Sequence, residues 1–78
     1  MATLRLFGPA RQAAGRSVVE IGGATVGQVL ASAEARFGGE LTRVVATSRI
    51  WVNGERASAD DPVGDGDEVS VIPPVSGG

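Results

Sequence analysis

The chain has 78 residues and a formal net charge of −2, from seven arginines and nine acidic residues. A chain this short buries only about 60% of its unfolded surface, so it allows one small domain with a thin core. It contains no Cys, His, Lys or Tyr, which excludes disulfides, zinc–thiolate sites, imidazole bases and lysine Schiff bases. The remaining groups are carboxylates, hydroxyls, arginines and the chain ends, and they argue against an enzyme that works alone.

The distribution of charge and hydropathy also limits the partners. The arginines are scattered along the chain, whereas nucleic-acid binding needs clustered cations. No apolar run approaches the roughly 20 residues of a membrane span. The first residues lack the basic and apolar regions of a signal peptide. We therefore expect a cytoplasmic protein that binds neither nucleic acid nor membrane.

Two strands separated by a loop are predicted at the start of the chain. Residues 2–7 alternate between inward and outward positions, as in a strand with one buried face. Gly8-Pro9 ends this strand. Residues 10–16 are predicted to form a loop, and residues 17–21 a second short strand. The side chains expected to face inward are Leu4, Leu6, Val19 and Ile21.

One helix is predicted over residues 25–37. Thr25 and Gln28 have the spacing of a capping box, which satisfies free N–H groups at a helix start. Gly38-Gly39 is expected to supply a left-handed cap at its end. The apolar side chains recur at helical spacing and predict a single stripe facing a core. The members of this stripe are Val26, Val29, Leu30, Ala33 and Phe37.

A hairpin is predicted in the second half of the chain. Residues 40–48 are ambiguous between a helical turn and an irregular segment, and residues 49–52 have the composition of a strand. Asn53-Gly54 follows at once, and this dipeptide favours a type I′ turn, which needs positive φ at both positions. A short return strand near residues 55–57 is therefore expected.

An acidic segment rich in turn-forming residues precedes a last strand, which is predicted over residues 67–72 with Val69 and Val71 facing inward. The acidic spacing does not fit a calcium loop, so we expect no metal site. These carboxylates could instead steer a basic surface of a partner. The acidic residues are Asp60, Asp61, Asp65, Asp67 and Glu68.

The resulting order of elements is β-β-α-β-β-β, with one main helix. In the arrangement that fits this order, the last strand lies beside the first and parallel to it, in the middle of a mixed sheet of about five strands. The helix packs on one face of that sheet. This is an α+β, β-grasp or ubiquitin-like fold. It would comprise a domain over residues 1–72 and an extended tail over residues 73–78.

The tail has the composition of a reactive arm. Pro73 and Pro74 lack N–H donors and have a fixed φ, so the strand cannot continue through them. Gly77 and Gly78 have no Cβ and could thread a narrow channel. The terminal carboxylate is inert until it is activated, and this chain lacks the groups to activate it. A terminal Gly-Gly can also be a frayed end, so the surrounding sequence must decide.

The final stretch, DGDEVSVIPPVSGG over residues 65–78, closely resembles the end of the small subunit of molybdopterin synthase. That subunit is the MoaD type of the MoaD/ThiS family of ubiquitin-like sulfur carriers. The family often has Ala where Gly8 stands here. The weaker matches elsewhere are Leu6-Phe7-Gly8-Pro9-Ala10-Arg11 with Gly15, Thr25-Val26 and Val52-Asn53-Gly54.

This resemblance implies a function and two partners. A MoeB-like adenylating enzyme would use ATP on the carboxylate of Gly78, and the adenylate would become a thiocarboxylate. Val75, Ser76 and Gly77 would then thread into a MoaE-like large subunit of molybdopterin synthase. That subunit would move the sulfur to a pyranopterin precursor of the molybdenum cofactor. The carrier itself would bind no cofactor and no metal.

A partner-binding patch is predicted beside the tail. If the alternation is right, Phe7, Trp51 and Ile72 all point away from the helix, on neighbouring strands near the point where the chain end leaves. With Pro73 and Pro74 they would form an exposed apolar surface. A register slip of one residue would instead place Trp51 in the core.

Three alternatives to a molybdopterin carrier remain open. The same chemistry at Gly78 could serve thiamine thiazole or cysteine biosynthesis, although the two prolines and the Leu6-Phe7 opening favour molybdopterin. The chain could be a ubiquitin-like protein modifier joined to lysines of other proteins. It could also be an interaction module whose tail is never activated. Only this last reading predicts that deleting Gly77 and Gly78 leaves function intact.

Overall fold

The last strand in sequence lies at the centre of the sheet. In the computed structural model, which describes residues 1–74, five strands form one mixed sheet and three helices accompany it. The strands are β1 (Ala2–Leu6), β2 (Val18–Ile21), β3 (Arg49–Val52), β4 (Glu55–Arg56) and β5 (Glu68–Ile72). The helices are α1 (Gly8–Ala14), α2 (Val26–Phe37) and α3 (Gly39–Thr47).

The strand order is β2-β1-β5-β3-β4. β1 and β5 are parallel, with Leu4 opposite Val69, and the other neighbouring pairs are antiparallel. This arrangement confirms the predicted β-grasp fold, including the central position of the last strand. It also fixes where the chain leaves the sheet, because the end of β5 lies between the end of β1 and the start of β3.

The predicted facing of the strands is correct. The alternating residues of β1 and β5 are fully buried, and the apolar stripe of α2 covers them. Phe37 is only half-buried and packs at the margin of the core, with the Arg36 guanidinium 5.2 Å from its ring centroid. The largest fully buried side chains are Leu4, Leu6, Leu41, Val26, Val29, Val69 and Val71.

The two ends of α2 show one confirmed motif and one correction. Thr25 Oγ1 accepts from the Gln28 backbone N–H at 3.2 Å, whereas Gln28 Oε1 accepts from Ala24, one residue before the cap, at 2.8 Å. The predicted left-handed cap is wrong, because Gly38 has φ 102° and ψ −177°. This backbone shape turns the chain directly from α2 into α3, and glycine adopts it without a Cβ clash.

Two segments are more helical than the sequence indicated. The loop predicted over residues 10–16 is wrong for most of its length, because α1 covers Gly8–Ala14. Pro9 does not prevent this helix, since a proline in the first turn lacks only an N–H group that would have no partner within the helix. The ambiguous residues 40–48 lie largely in α3. Leu41, which is fully buried, and the half-buried Val44 and Val45 form a stripe at helical spacing that anchors α3 to the core.

The acidic segment is fixed by backbone hydrogen bonds. The N–H groups of Val26 and Gly27 at the start of α2 donate to the carbonyls of Asp61 and Ala59, both at 2.9 Å. The Val63 N–H donates to the Ala24 carbonyl at 3.0 Å, and Val63 is buried. The segment therefore satisfies free donors of the helix, which is a structural reason for its course.

Candidate functional site: the open sheet face where the chain end leaves

The end of β5 brings the last described residues to one edge of the open sheet face. Ile72 lies opposite Arg49, the first residue of β3. On the other side, the Phe7 N–H donates to the Val71 carbonyl at 3.4 Å, which places Phe7 beside the end of β5. The chain end therefore leaves the domain between Phe7 and Arg49.

Phe7 and Ile72 lie side by side and are exposed. The exposed fraction is 45% for Phe7 and 37% for Ile72. Pro73 is half-buried and Pro74 is exposed. Because isolated exposed apolar residues are ordinary, the informative feature is that this pair adjoins the chain end. Whether a partner binds here stays a prediction.

Trp51 lies on the same face but is partly covered. It is opposite Ser70 on β5 and half-buried. The Arg56 guanidinium, on the neighbouring strand β4, lies 5.8 Å from the Trp51 ring centroid, within the range of a cation–π interaction. The slipped register that would put Trp51 in the core is therefore wrong. The sequence did not reveal that an arginine shares the Trp51 surface.

The face also carries one ion pair and one further side-chain hydrogen bond between neighbouring strands. Arg5 Nε donates to Glu68 Oε2 at 2.6 Å, and Thr3 Oγ1 donates to Glu20 Oε2 at 2.6 Å. Both partners of the ion pair are over 40% exposed, so the pair adds little stability. Its consequence is local, because Glu68 is occupied by Arg5 and contributes little free negative charge.

The turn at Asn53-Gly54 is joined to the start of β5. Asn53 and Gly54 have φ of 51° and 85°, as a type I′ turn requires. Asn53 Nδ2 donates to Asp67 Oδ1 at 3.0 Å, and the Glu68 N–H donates to Asn53 Oδ1 at 2.9 Å. The Gly64 N–H donates to the other Asp67 oxygen at 2.9 Å.

These bonds lower the pKa of Asp67 below its ordinary value of 3.8, with the Asn53 bond the larger cause and the Gly64 bond the smaller. The pKa of Asp65 is also lowered, through its hydrogen bond and ion pair with the Met1 amino group. Asp67 was a candidate for steering a partner. In the structure its carboxylate accepts hydrogen bonds from Asn53 and Gly64, at the opposite end of β5 from Ile72. Whether Asp67 steers a partner stays a prediction.

An open depression lies beside α1, lined by Gly8, Arg11, Gln12 and Gly15. Arg11, which belongs to the segment expected to form a loop, is an exposed residue of α1. The predicted threading residues Val75, Ser76 and Gly77, and the predicted reactive residue Gly78, lie outside the described residues. Within residues 1–74, no helix is long and apolar enough to cross a membrane.

The whole chain resembles one family in sequence and several solved structures in fold. The ThiS family model matches residues 4–78. SAMP1 from Haloferax volcanii is 31% identical over 99% of this chain and 98% of its own, with a TM-score of 0.82. A chain of the Amycolatopsis orientalis BexX/CysO complex is 28% identical over 100% of both chains, with a TM-score of 0.85. A putative molybdopterin converting factor subunit 1 from Pyrococcus furiosus is 30% identical over 95% of this chain and 97% of its own, with a TM-score of 0.79.

Proposed function

The chain belongs to the ThiS family of ubiquitin-like sulfur carriers, and on this premise we propose that it carries sulfur as a thiocarboxylate on Gly78. The observation that supports this best is the position of the chain end. The sequence Pro-Pro-Val-Ser-Gly-Gly follows the central strand β5 directly, beside the exposed side chains of Phe7 and Ile72. An apolar surface next to a thin terminal arm suits a partner that holds the domain and works on its end.

The proposed chemistry needs an activating partner. The Gly78 carboxylate attacks the α-phosphorus of ATP, which forms an acyl-adenylate and releases pyrophosphate. A sulfide sulfur then attacks the acyl carbon, a C–S bond forms, and AMP leaves with the electrons of the broken C–O bond. This chain would supply the carboxylate and the docking surface. The partner would bind ATP, as the chain has no lysine and no phosphate-binding loop.

We propose molybdopterin synthesis as the pathway, with this chain as the small subunit of the synthase. Its end resembles that subunit, and the Pyrococcus furiosus relative carries a corresponding name. A large synthase subunit would accept the tail and move the sulfur to the pyranopterin. The cytoplasm is the proposed compartment, because activation consumes ATP. A sulfur carrier for thiamine thiazole or cysteine synthesis would use the same chemistry.

Protein modification is the second candidate function. It is favoured by the similarity to SAMP1, a small archaeal modifier protein, at 31% identity. A modifier would join Gly78 to lysines of other proteins and not to itself, since this chain has none. Isopeptide-linked adducts recovered from cells that express a tagged chain would support it. Their absence, together with a thiocarboxylate, would leave the carrier function.

Intact-mass spectrometry tests the proposal directly. The chain would be incubated with ATP, a sulfide source and an adenylating enzyme of the molybdopterin pathway. We expect a mass gain equal to the replacement of one oxygen by one sulfur, and its absence in a variant lacking Gly77 and Gly78. The truncated variant should keep its thermal midpoint, because residues beyond the last strand add little to stability. If the same enzyme modifies its own carrier protein but this chain gains no mass, the proposal is refuted.

A further inference from the structure

Three exposed arginines lie near one end of the sheet, and seven of the nine acidic residues lie near the other. One end, here called the exit end, contains Ile72, the end of β1 and the start of β3. The other, here called the turn end, contains the Asn53-Gly54 turn and the start of β5. The four steps along β5 from Glu68 to Ile72, at about 3.3 Å each, separate the two ends by about 13 Å. This distance exceeds the Debye length of about 8 Å at physiological salt, so the charges of a partner bound at one end are largely screened from the charges at the other end.

Three of the seven arginines lie at the exit end, whereas Arg5 and Arg56 lie within β1 and β4, and the other two lie on α2 and α3. Arg49 lies directly opposite Ile72. Arg11 lies on α1, which connects the end of β1 to the start of β2, and Arg16 comes two residues before β2. All three are exposed. Within residues 1–74, no carboxylate lies within ion-pair distance of any of them, whereas Arg5 is paired with Glu68.

The acidic residues collect at the turn end. Glu20 lies opposite Thr3 near the start of β1, and Glu55 follows the turn. Asp61 bonds to the start of α2, which comes just after the end of β2. Apart from Glu34 and Glu40 on the helices, all acidic residues of the chain belong to this end. They are Glu20, Glu55, Asp60, Asp61, Asp65, Asp67 and Glu68.

We propose that the domain docks exit end first on a protein whose tail-receiving cleft is rimmed by carboxylates, with Arg49 as the central contact and Arg11 and Arg16 beside it. This inference rests on the proposed function, in which the chain end enters a partner. It identifies that partner surface as acidic although the chain is itself acidic overall. Phe7 and Ile72 would supply the buried apolar contact.

The two kinds of side chain would then have different effects. Apolar contacts slow dissociation, whereas exposed charges mainly raise the association rate and set orientation. The acidic turn end would be repelled by an acidic rim, so the charge distribution would also disfavour the reversed approach. Asp67 and Glu68 were among the carboxylates expected to steer a basic surface of a partner. They lie at the turn end, away from Ile72, and their carboxylates accept from Asn53 and Arg5.

Association kinetics test the inference without requiring chemistry. The activating enzyme, or the large synthase subunit, would be immobilised and the association rate measured at low and high NaCl. For the wild-type chain we expect the rate to fall with salt. Arg49→Glu should associate about tenfold more slowly at low salt, within the 10- to 1,000-fold range of electrostatic steering. Arg11→Glu, on a different element, should act in the same direction if the first variant fails to fold.

Asp60→Arg is the matched control, because it changes the net charge by the same amount in the opposite direction at the turn end. We expect its association rate to stay within about twofold of the wild type. A rise as large as the Arg49→Glu fall would show that net charge governs association, and would overturn the inference. The inference would also be overturned if the association rate of the wild-type chain did not depend on salt, if Arg49→Glu associated faster than the wild type, or if the chain bound neither protein. Intact mass measured in parallel reports the thiocarboxylate separately, so the proposed function can stand or fall independently.

Discussion

Gly23 lies just before α2 and has a φ of 153°, a backbone conformation that residues other than glycine rarely adopt. A Cβ added there would lie 2.7 Å from the Val29 backbone nitrogen and 2.8 Å from Val29 Cγ2. Backbone strain at such a position costs about 1–3 kcal/mol, and overpacking a filled site costs about 1–3 kcal/mol more. We therefore expect Gly23→Ala to lower the free energy of unfolding by about 2–6 kcal/mol.

That loss is large for a domain of this size, whose net stability is on the order of 4–12 kcal/mol at about 0.05–0.15 kcal/mol per residue. It should be measured by urea unfolding followed by circular dichroism, with Gly22→Ala as the matched control. A Cβ at Gly22 meets nothing within 4 Å, so this variant should stay within about 1 kcal/mol of the wild type. Equal unfolding midpoints for the two variants would refute the packing argument. Because Gly23 lies at the turn end, any folded Gly23→Ala protein should still form the thiocarboxylate.

Three further predictions follow from single contacts. The lowered pKa of Asp67 contributes stability that is present above the unfolded-state pKa, near 3.8, and is lost as pH falls through the folded-state value. The thermal unfolding midpoint of Asp67→Asn should therefore fall less between pH 7 and pH 3 than that of the wild type. An equal fall in the two proteins would contradict this. Leu41→Ala should lower the free energy of unfolding by about 2–5 kcal/mol in calorimetry, because Leu41 is a fully buried residue of α3. Replacement of the exposed Arg43 by Ala should change it by no more than about 0.5 kcal/mol. Ile72→Asp should weaken binding to the activating enzyme at least tenfold and leave the thermal unfolding midpoint nearly unchanged. Thr42→Asp on α3 should bind as the wild type does. Equal weakening by the two variants would show that the open sheet face is not part of the binding site.

Most of the fold was predictable because its signals are local. The alternation in β1 and β5, the capping box at Thr25 and the Asn53-Gly54 turn each depend on neighbouring residues. The helical stripe of Leu41, Val44 and Val45 was present in the sequence but spans only one and a half turns. Over so short a distance, helical and irregular spacing are hard to separate. Packing on the core and on the other helices decides in favour of α3.

The candidate site was only partly predictable. The facing of Phe7 and Ile72 follows from strand alternation, and the Gly-Gly end is visible in the sequence. The cation over Trp51 is not, because Arg56 reaches it only through the pairing of β3 with β4. The same holds for the ion pair of Arg5 with Glu68, residues that are 63 positions apart in the chain.

The sequence by itself narrowed the class of chemistry. A chain without cysteine, histidine, lysine or tyrosine has no thiol, imidazole, side-chain amine or phenol, so composition alone excludes the reactions that need those groups. Only the tertiary structure decided which surface accompanies that end. Net charge is a sum over residues, whereas the field that a partner meets depends on which charges are adjacent and which are already paired. The pairing of β5 with β1 on one side and with β3 on the other places Phe7 and Arg49 on either side of Ile72. Seven of the nine acidic residues lie toward the other end of the sheet, about 13 Å away along β5.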